Sequence, residues 1–319
     1  MSRIYLPCVL CLFLAVGCRE IPQPSGGWQE VESPTDKDLY SVFALSEDNA
    51  WAVGDSGVII HWDGETWSLV ESPTSERLNS VYFVSPDDGW AVGNSGTILH
   101  WGGSMWRVED SPVSVDLNDV QFLSRNDGWA VGDSGIILHC NGQVWRIAYR
   151  EECDCFKSLW FNNPVEGWAV STVIWHYYNG LWSIDTTSLT FYGYFFDVNF
   201  IENDKGWAVG EWAIDCGQGR GAVYRFDNNE WKFVSMREVA PIQNYWLSVF
   251  FISENEGWIA GADDEMAGVE GAENMLHYKD GEWQVINIEN YRSIYSIHFS
   301  TPNNGWAVGK KGYILRYRR

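Results

Sequence analysis

Two groups of residues in this chain have types suited to chemistry: a set of histidines and a set of loop carboxylates and aromatics. Five of the six histidines, His61, His100, His139, His176 and His277, fall at one position of a repeated pattern. Histidine is a common metal ligand and acid–base group. Here each one belongs to a different repeat unit, on its third strand, so a hydrogen-bonding role in the core is expected instead. His298 stands apart, on an inner strand.

The second group sits between the regular segments. Its aromatic members are Phe191, Tyr192, Tyr194, Trp212, Tyr245 and Trp246, and its acidic members are Glu151, Glu152, Asp154, Asp215, Asp263, Asp264 and Glu265. Aromatic platforms beside carboxylates suit sugar rings, whose faces stack and whose hydroxyls donate. They suit a basic peptide equally well. The ligand-binding candidates are Trp212, Asp215, Tyr192, Tyr194, Tyr245, Trp246, Asp263, Asp264 and Glu265. Oxygen ligands also suit Ca²⁺, but the run at Asp263 lacks the alternating spacing of an EF-hand loop. No metal and no cofactor is expected.

The elements that position these residues follow from a repeat. Copies of Gly89-Trp90-Ala91-Val92-Gly93-Asn94-Ser95-Gly96 recur, with the Trp at 51, 90, 129, 168, 207, 258 and 306, spaced by 39, 39, 39, 39, 51 and 48 residues. A period near 40 marks a repeat architecture. Within the copy at Leu78 to Val113, Ser80 to Phe83 and Trp90 to Gly93 read as strands joined by a turn at Ser85 to Gly89. That turn is read as an Asp-Gly hairpin in which Gly89 takes positive φ. Thr97 to Trp101 and Trp106 to Val108 read as the third and fourth strands. Four short strands per period describe a propeller blade. The chain is therefore expected to be all-β, a seven-bladed propeller of four-stranded antiparallel blades. The last blade ends at Arg319 without a fourth strand, and an unmatched segment at Trp28 to Pro34 resembles Trp67 to Pro73. Residues 28–34 are expected to complete blade 7 and close the ring within a domain of residues 28–319.

In blades 1 to 3 the turns between strands two and three are minimal. In blades 5 and 6 they swell, at Glu211 to Arg220 and Ala262 to Asn274. The inter-blade connections at Glu151 to Phe156, Thr186 to Tyr194 and Met236 to Trp246 are long as well. A propeller places all five on one face, and loops on a rigid scaffold carry function. Cys153, Cys155 and Cys216 share this face, so a disulfide from Cys216 to Cys153 or Cys155 is expected, with a Cys153–Cys155 bond as the competing arrangement. Cys140 ends a third strand on the opposite face.

The N-terminus reads as an export signal over residues 1–17, with Arg3 before the apolar run Ile4 to Val16. Leu14-Ala15-Val16-Gly17-Cys18 resembles a bacterial lipobox, with Cys18 as the lipidated residue. Ordinary secretory cleavage is the alternative. Residues 18–27 form a tether, and Arg19 after the Cys points to the outer membrane or cell surface of the envelope. Four cysteines beyond Cys18 then lie where disulfides persist. The net charge is −22, and loss of Arg3 with the leader makes it −23. Such a chain repels nucleic acid and anionic lipid surfaces.

The pattern Gly-Trp-Ala-Val-Gly-x-x-Gly-x-Ile, followed by a turn and a Trp, resembles the photosystem II stability/assembly-factor-like propellers. These are exported seven-bladed members of the BNR, or Asp-box, repeat group. The resemblance spans Trp28 to Arg319 and implies the fold. The box is degenerate, because Asp63-Gly64-Glu65-Thr66-Trp67 is one residue short. Photosynthetic members dock through a basic patch, which does not carry over to so acidic a chain. Sialidases share the propeller class, but their three substrate-binding arginines have no counterpart on these inner strands. No Ser-His-Asp or Cys-His order is identifiable. The expected function is a non-catalytic, lipid-anchored binding or assembly scaffold for an envelope protein or cationic peptide. The alternative is glycan binding, and a glycoside hydrolase is less favoured.

Overall fold

The computed structural model describes residues 27–152, 154–188, 193–202, 204–212, 220–234, 244–263, 275–286, 288 and 292–319. Among them are 28 strands in seven four-stranded antiparallel sheets. Each sheet is one blade. Its first strand lines a central channel and its fourth forms the rim. Blade 7 consists of Ile294–Thr301, Asn304–Gly309, Ile314–Arg318 and the N-terminal strand Gly27–Glu30. Trp28 pairs with Tyr317, and Glu30 with Leu315. The ring therefore closes as expected, by a strand from one end of the chain added to the other.

The wedge between blades is aromatic. In blades 1 to 6 the second-strand Trp stacks on a Phe in the first strand of the next: Trp51 on Phe83, Trp90 on Phe122, Trp129 on Phe161, Trp168 on Phe200, Trp207 on Phe251 and Trp258 on Phe299. Ring centroids lie 3.9–5.0 Å apart, with planes within 25° of each other. The fourth-strand Trp meets the stack edge-on, as Trp106 meets Phe83 at 84°. Offset stacked and T-shaped pairs are the arrangements that the ring quadrupole favours, and they combine with large apolar burial.

Each of these Phe rings lies over the glycine paired with it on the second strand. At Gly89, Gly128, Gly167, Gly206, Gly257 and Gly305 an added Cβ would come within 2.3–2.5 Å of the ring. Gly89 does not take positive φ, so its role differs from the sequence reading: it leaves room for Phe83 rather than turning the chain. Blade 1 supplies the converse. Its Phe position is Ala44, and its partner is Ala50. There Trp62 lies 4.9 Å from Trp306 of blade 7, the contact that Trp101 makes with Trp51, and Trp67 closes to 4.9 Å from the same ring.

The two-to-three turns nest on the inter-blade connections. Gly96 has φ of 72°, and a Cβ there would come within 2.1 Å of the Val113 carbonyl oxygen. These turns and connections thus share one face, called upper below. On that face strand pairs of blades 5 and 6 run on past the disc. Gly193–Glu202 and Asn244–Ser253 have ten residues, against eight in Leu78–Ser85.

A packed core resists added atoms, at about 1–3 kcal/mol for a forced methylene. Gly89→Ala is expected to cost that much in urea denaturation. In a Phe83→Ala background the same change should cost close to nothing, because the ring that excludes the methyl is gone.

Candidate functional site

The repeated histidines belong to the scaffold. His61, His100, His139, His176 and His277 stack on the second-strand Trp of their own blades at 4.2–4.9 Å. Their Nε2 atoms face the residue two before that Trp: Asn49 at 3.0 Å, Asp88 and Asp127 at 2.9 Å, Glu166 at 3.4 Å and Glu256 at 3.3 Å. Burial lowers the proton affinity of His61 and His277. Blades 5 and 7 have Arg at this position. Arg225 lies over Trp207 and Arg316 over Trp306, at 5.4 and 4.9 Å. A cation over the indole face replaces the imidazole stack. No group of three metal-ligating side chains occurs among the described residues.

On the upper face of blade 5, Trp212 ends the second strand Lys205–Trp212 instead of standing in a loop, and it pairs with Gly193 and Arg220. Its ring is 39% exposed and meets Phe233 edge-on at 5.4 Å, and Phe233 is itself 45% exposed. Phe233 in turn contacts Tyr224, which is buried against blade 4. The pair is thus an exposed aromatic corner anchored to the core. Phe233 was not singled out in the sequence. The available signal was its place two residues after the fourth-strand Trp231, on the solvent side.

Tyr194 is 51% exposed, and Tyr245 is partly buried. Both occupy the upper-rim position held by Asp38, Arg77 and Asp116 in blades 1 to 3, since the carbonyl oxygen of each lies against the second-strand glycine, Gly210 or Gly261. Trp246 does not belong to the site. It is 1% exposed and packs with Trp207, Val209 and Val249 between blades 5 and 6. It pairs with Gly261 as Leu78 pairs with Gly93, so it fills the Leu position of the repeat. The long insertion before it disguises a core residue as a loop residue.

Asp154 also turns inward. Its Oδ2 accepts from Ser171 Oγ at 2.6 Å and Trp175 Nε1 at 2.9 Å. Cys155 carries a free, exposed thiol, and Cys140 a free, buried one. Asp263 ends the second strand of blade 6. Cys18, Cys153, Phe191, Tyr192, Asp215, Cys216, Asp264 and Glu265 lie outside the described residues.

Polar and aromatic groups also converge in the channel, a cavity of about 220 Å³. Its upper tier is Ser41, Ser80, Asp119, Asp197, Ser248 and Ser296, and Ser158 holds the equivalent place on the first strand of blade 4, bonded to both aspartates. Most of these side chains accept an N–H from the next blade. Ser41 takes Val81 N at 3.2 Å, Asp119 takes Leu159 N at 3.0 Å, Asp197 takes Val249 N at 2.8 Å, and Ser296 takes Val42 N at 3.2 Å. The lower tier is Phe43, Tyr82, Gln121, Trp160, Asn199, Phe250 and His298. His298 Nδ1 accepts from Ala44 N at 3.1 Å, and burial brings its proton affinity down to about 3, so its ring is neutral. No Lys or Arg is among the described lining residues. Burial raises Asp119 and brings Asp197 up to about 7. The sequence signal for this pair was Asp replacing Ser in a recurring column.

Comparison with known proteins places this geometry. A family model described as photosynthesis system II assembly factor YCF48 matches residues 61–151. The solved structure of YCF48 bound to D1 peptide is 22% identical and superposes with a TM-score of 0.71, covering 92% of this chain and 97% of its own. YCF48 from Cyanidioschyzon merolae is 20% identical with a TM-score of 0.69, covering 91% and 98%. The WD40 propeller domain of Doa1 is 12% identical with a TM-score of 0.72, covering 92% and 97%. No curated protein matches. The fold is that of the photosystem II assembly-factor-like propellers.

The two tryptophans separate in a denaturation experiment. Trp246→Ala should lose about 3–5 kcal/mol, as large core truncations do. Trp212→Ala should stay within about 0.5 kcal/mol of the parent, as surface changes do.

Proposed function

We propose that this chain is a non-catalytic propeller that binds an extended segment of a protein partner on the upper face of blades 4 to 6. The observation that carries the reading is the exposed Trp212–Phe233 corner, held by Tyr224 on a scaffold whose core is otherwise closed. Exposed aromatic anchors in rigid surroundings are the usual centres of protein interfaces. The peptide held by the YCF48 propeller supports the class of ligand. The partner segment is basic in this reading, because a chain at −22 attracts positive charge and repels negative.

The described side chains give little to an enzyme. The histidines are stacked and paired, His298 is neutral and bonded to the backbone, and the channel carboxylates accept from strand N–H groups. Export and anchoring remain part of the proposal, resting on Arg3, the apolar run from Ile4 to Val16 and the lipobox-like segment ending at Cys18. An anchor there would hold the propeller at an envelope surface through the tether before Gly27. A Cys153–Cys216 bond would leave Cys155 free, as it is found.

Binding of fluorescent basic peptides to residues 19–319 tests the reading. Affinity should fall steeply between about 50 and 500 mM salt, since screening shortens the reach of surface charge. Trp212→Ala should weaken it about tenfold, the equivalent of about 1.4 kcal/mol. Binding that ignores both changes overturns the proposed site. Salt-independent capture of a glycan would favour the sugar-binding alternative.

A further inference from the structure

Ser158 lies between two carboxylates in the upper tier of the channel. Its Oγ is 3.0 Å from Asp119 Oδ2 and 2.9 Å from Asp197 Oδ1. A serine hydroxyl has one proton to give, and an ionised carboxylate has none. Two ionised carboxylates would leave one of these short contacts without a hydrogen. The remaining bonds show where the missing hydrogen sits. Asp119 is supplied on both oxygens: Ser80 Oγ at 2.7 Å and Val120 N at 2.9 Å reach Oδ1, and Leu159 N at 3.0 Å reaches Oδ2. Asp197 has only backbone donors besides Ser158, Val198 N on Oδ1 and Val249 N on Oδ2, each at 2.8 Å.

We infer that Asp119, Ser158 and Asp197 form a site that holds one proton at neutral pH, with Asp197 Oδ1 donating to Ser158 Oγ and Ser158 donating to Asp119 Oδ2. The proton is a bridge between blades. Through it and the bonds above, Ser80 of blade 2, Asp119 of blade 3, Ser158 of blade 4, Asp197 of blade 5 and Val249 of blade 6 make one chain. The upper face of blades 4 to 6 stands directly on that chain. Among the described residues, the other titratable groups facing the channel are Tyr82 from blade 2 and His298 from blade 7. The first strands of blades 1, 4 and 6 present none there, and blades 3 and 5 present only the two aspartates. Tyr82 is raised by burial and His298 is neutral, so neither supplies a countercharge near neutrality.

The sign follows from linkage. Burial first, and repulsion by Asp119 after it, raise Asp197 from the ordinary carboxylate range to about 7. The folded chain keeps a proton that the unfolded chain loses near pH 4. This contribution to stability is full below about pH 4, declines up to about pH 7 and is absent above it. Loss of the proton places two negative charges on one hydroxyl and loosens the joints of blades 3 to 5.

The test is ¹³C NMR of the full chain labelled at aspartate Cγ, titrated from pH 4 to 9. One carboxyl should titrate near pH 7. That step should vanish in Asp197→Asn and move to lower pH in Asp119→Asn, where the repelling charge is removed. A wild-type chain in which no aspartate titrates above about pH 5.5 overturns the inference, and that spectrum decides the matter if either variant fails to fold. A step that persists unchanged in Asp197→Asn overturns it as well.

Discussion

The whole ring depends on one contact repeated around it: a tryptophan of one blade lying flat on a phenylalanine of the next, which itself lies on a glycine. The glycine must lack a Cβ, because the ring occupies that space. The ring must be there, because it is the surface on which the neighbouring blade rests. The third-strand histidine covers the other side of the tryptophan, and an acid or amide holds the imidazole. Five residues from two blades therefore specify one another. Blade 1 shows the coupling by breaking it consistently. Ala44 and Ala50 change together, and Trp62 and Trp67 still fill the wedge against Trp306.

Much of this was legible in the sequence because it repeats. A strict interval of 39 residues exposed the blades, and the orphan segment at Trp28 with the missing last strand exposed the closure. What repetition could not reveal was the environment of a residue beside an insertion. Trp246 reads as a loop aromatic because ten or more irregular residues precede it, yet its register with Gly261 makes it core. Asp154 reads as one acid among several, but a tryptophan N–H and a serine hydroxyl claim it. Phe233 hides in a strand where alternate residues are simply apolar or polar. Leu69, Val108, Ile147 and Ile184 are exposed at the same position of other blades, and what sets Phe233 apart is its contact with Trp212 on a different strand.

The disc is uneven in its economy. Blades 1 to 3 spend almost nothing beyond the repeat, while blades 5 and 6 extend their inner strand pairs past the upper face. Extending a paired ribbon keeps its backbone groups satisfied while carrying side chains away from the core. Trp212 and Tyr194 are therefore presented on hydrogen-bonded strand and not on free loop, which limits the ordering entropy lost when something binds there. Rigid presentation and low sequence constraint usually compete. Here the stacked ring below lets the ribbons above vary.

The clasp in blade 7 has a consequence in time. Gly27 pairs with Arg318, so the first strand described is also the last that can be placed. During synthesis its partner emerges nearly 300 residues later. Until then Trp28 has no ring to meet and the final blade has no outer edge. Contacts so distant along the chain form late and slowly. A ribosome can deliver six blades in order, but the disc is finished only once residues 315–318 have emerged to pair with Gly27 to Glu30. Any compartment crossing that requires an unfolded chain has, in that interval, a substrate whose closing strands have not yet met.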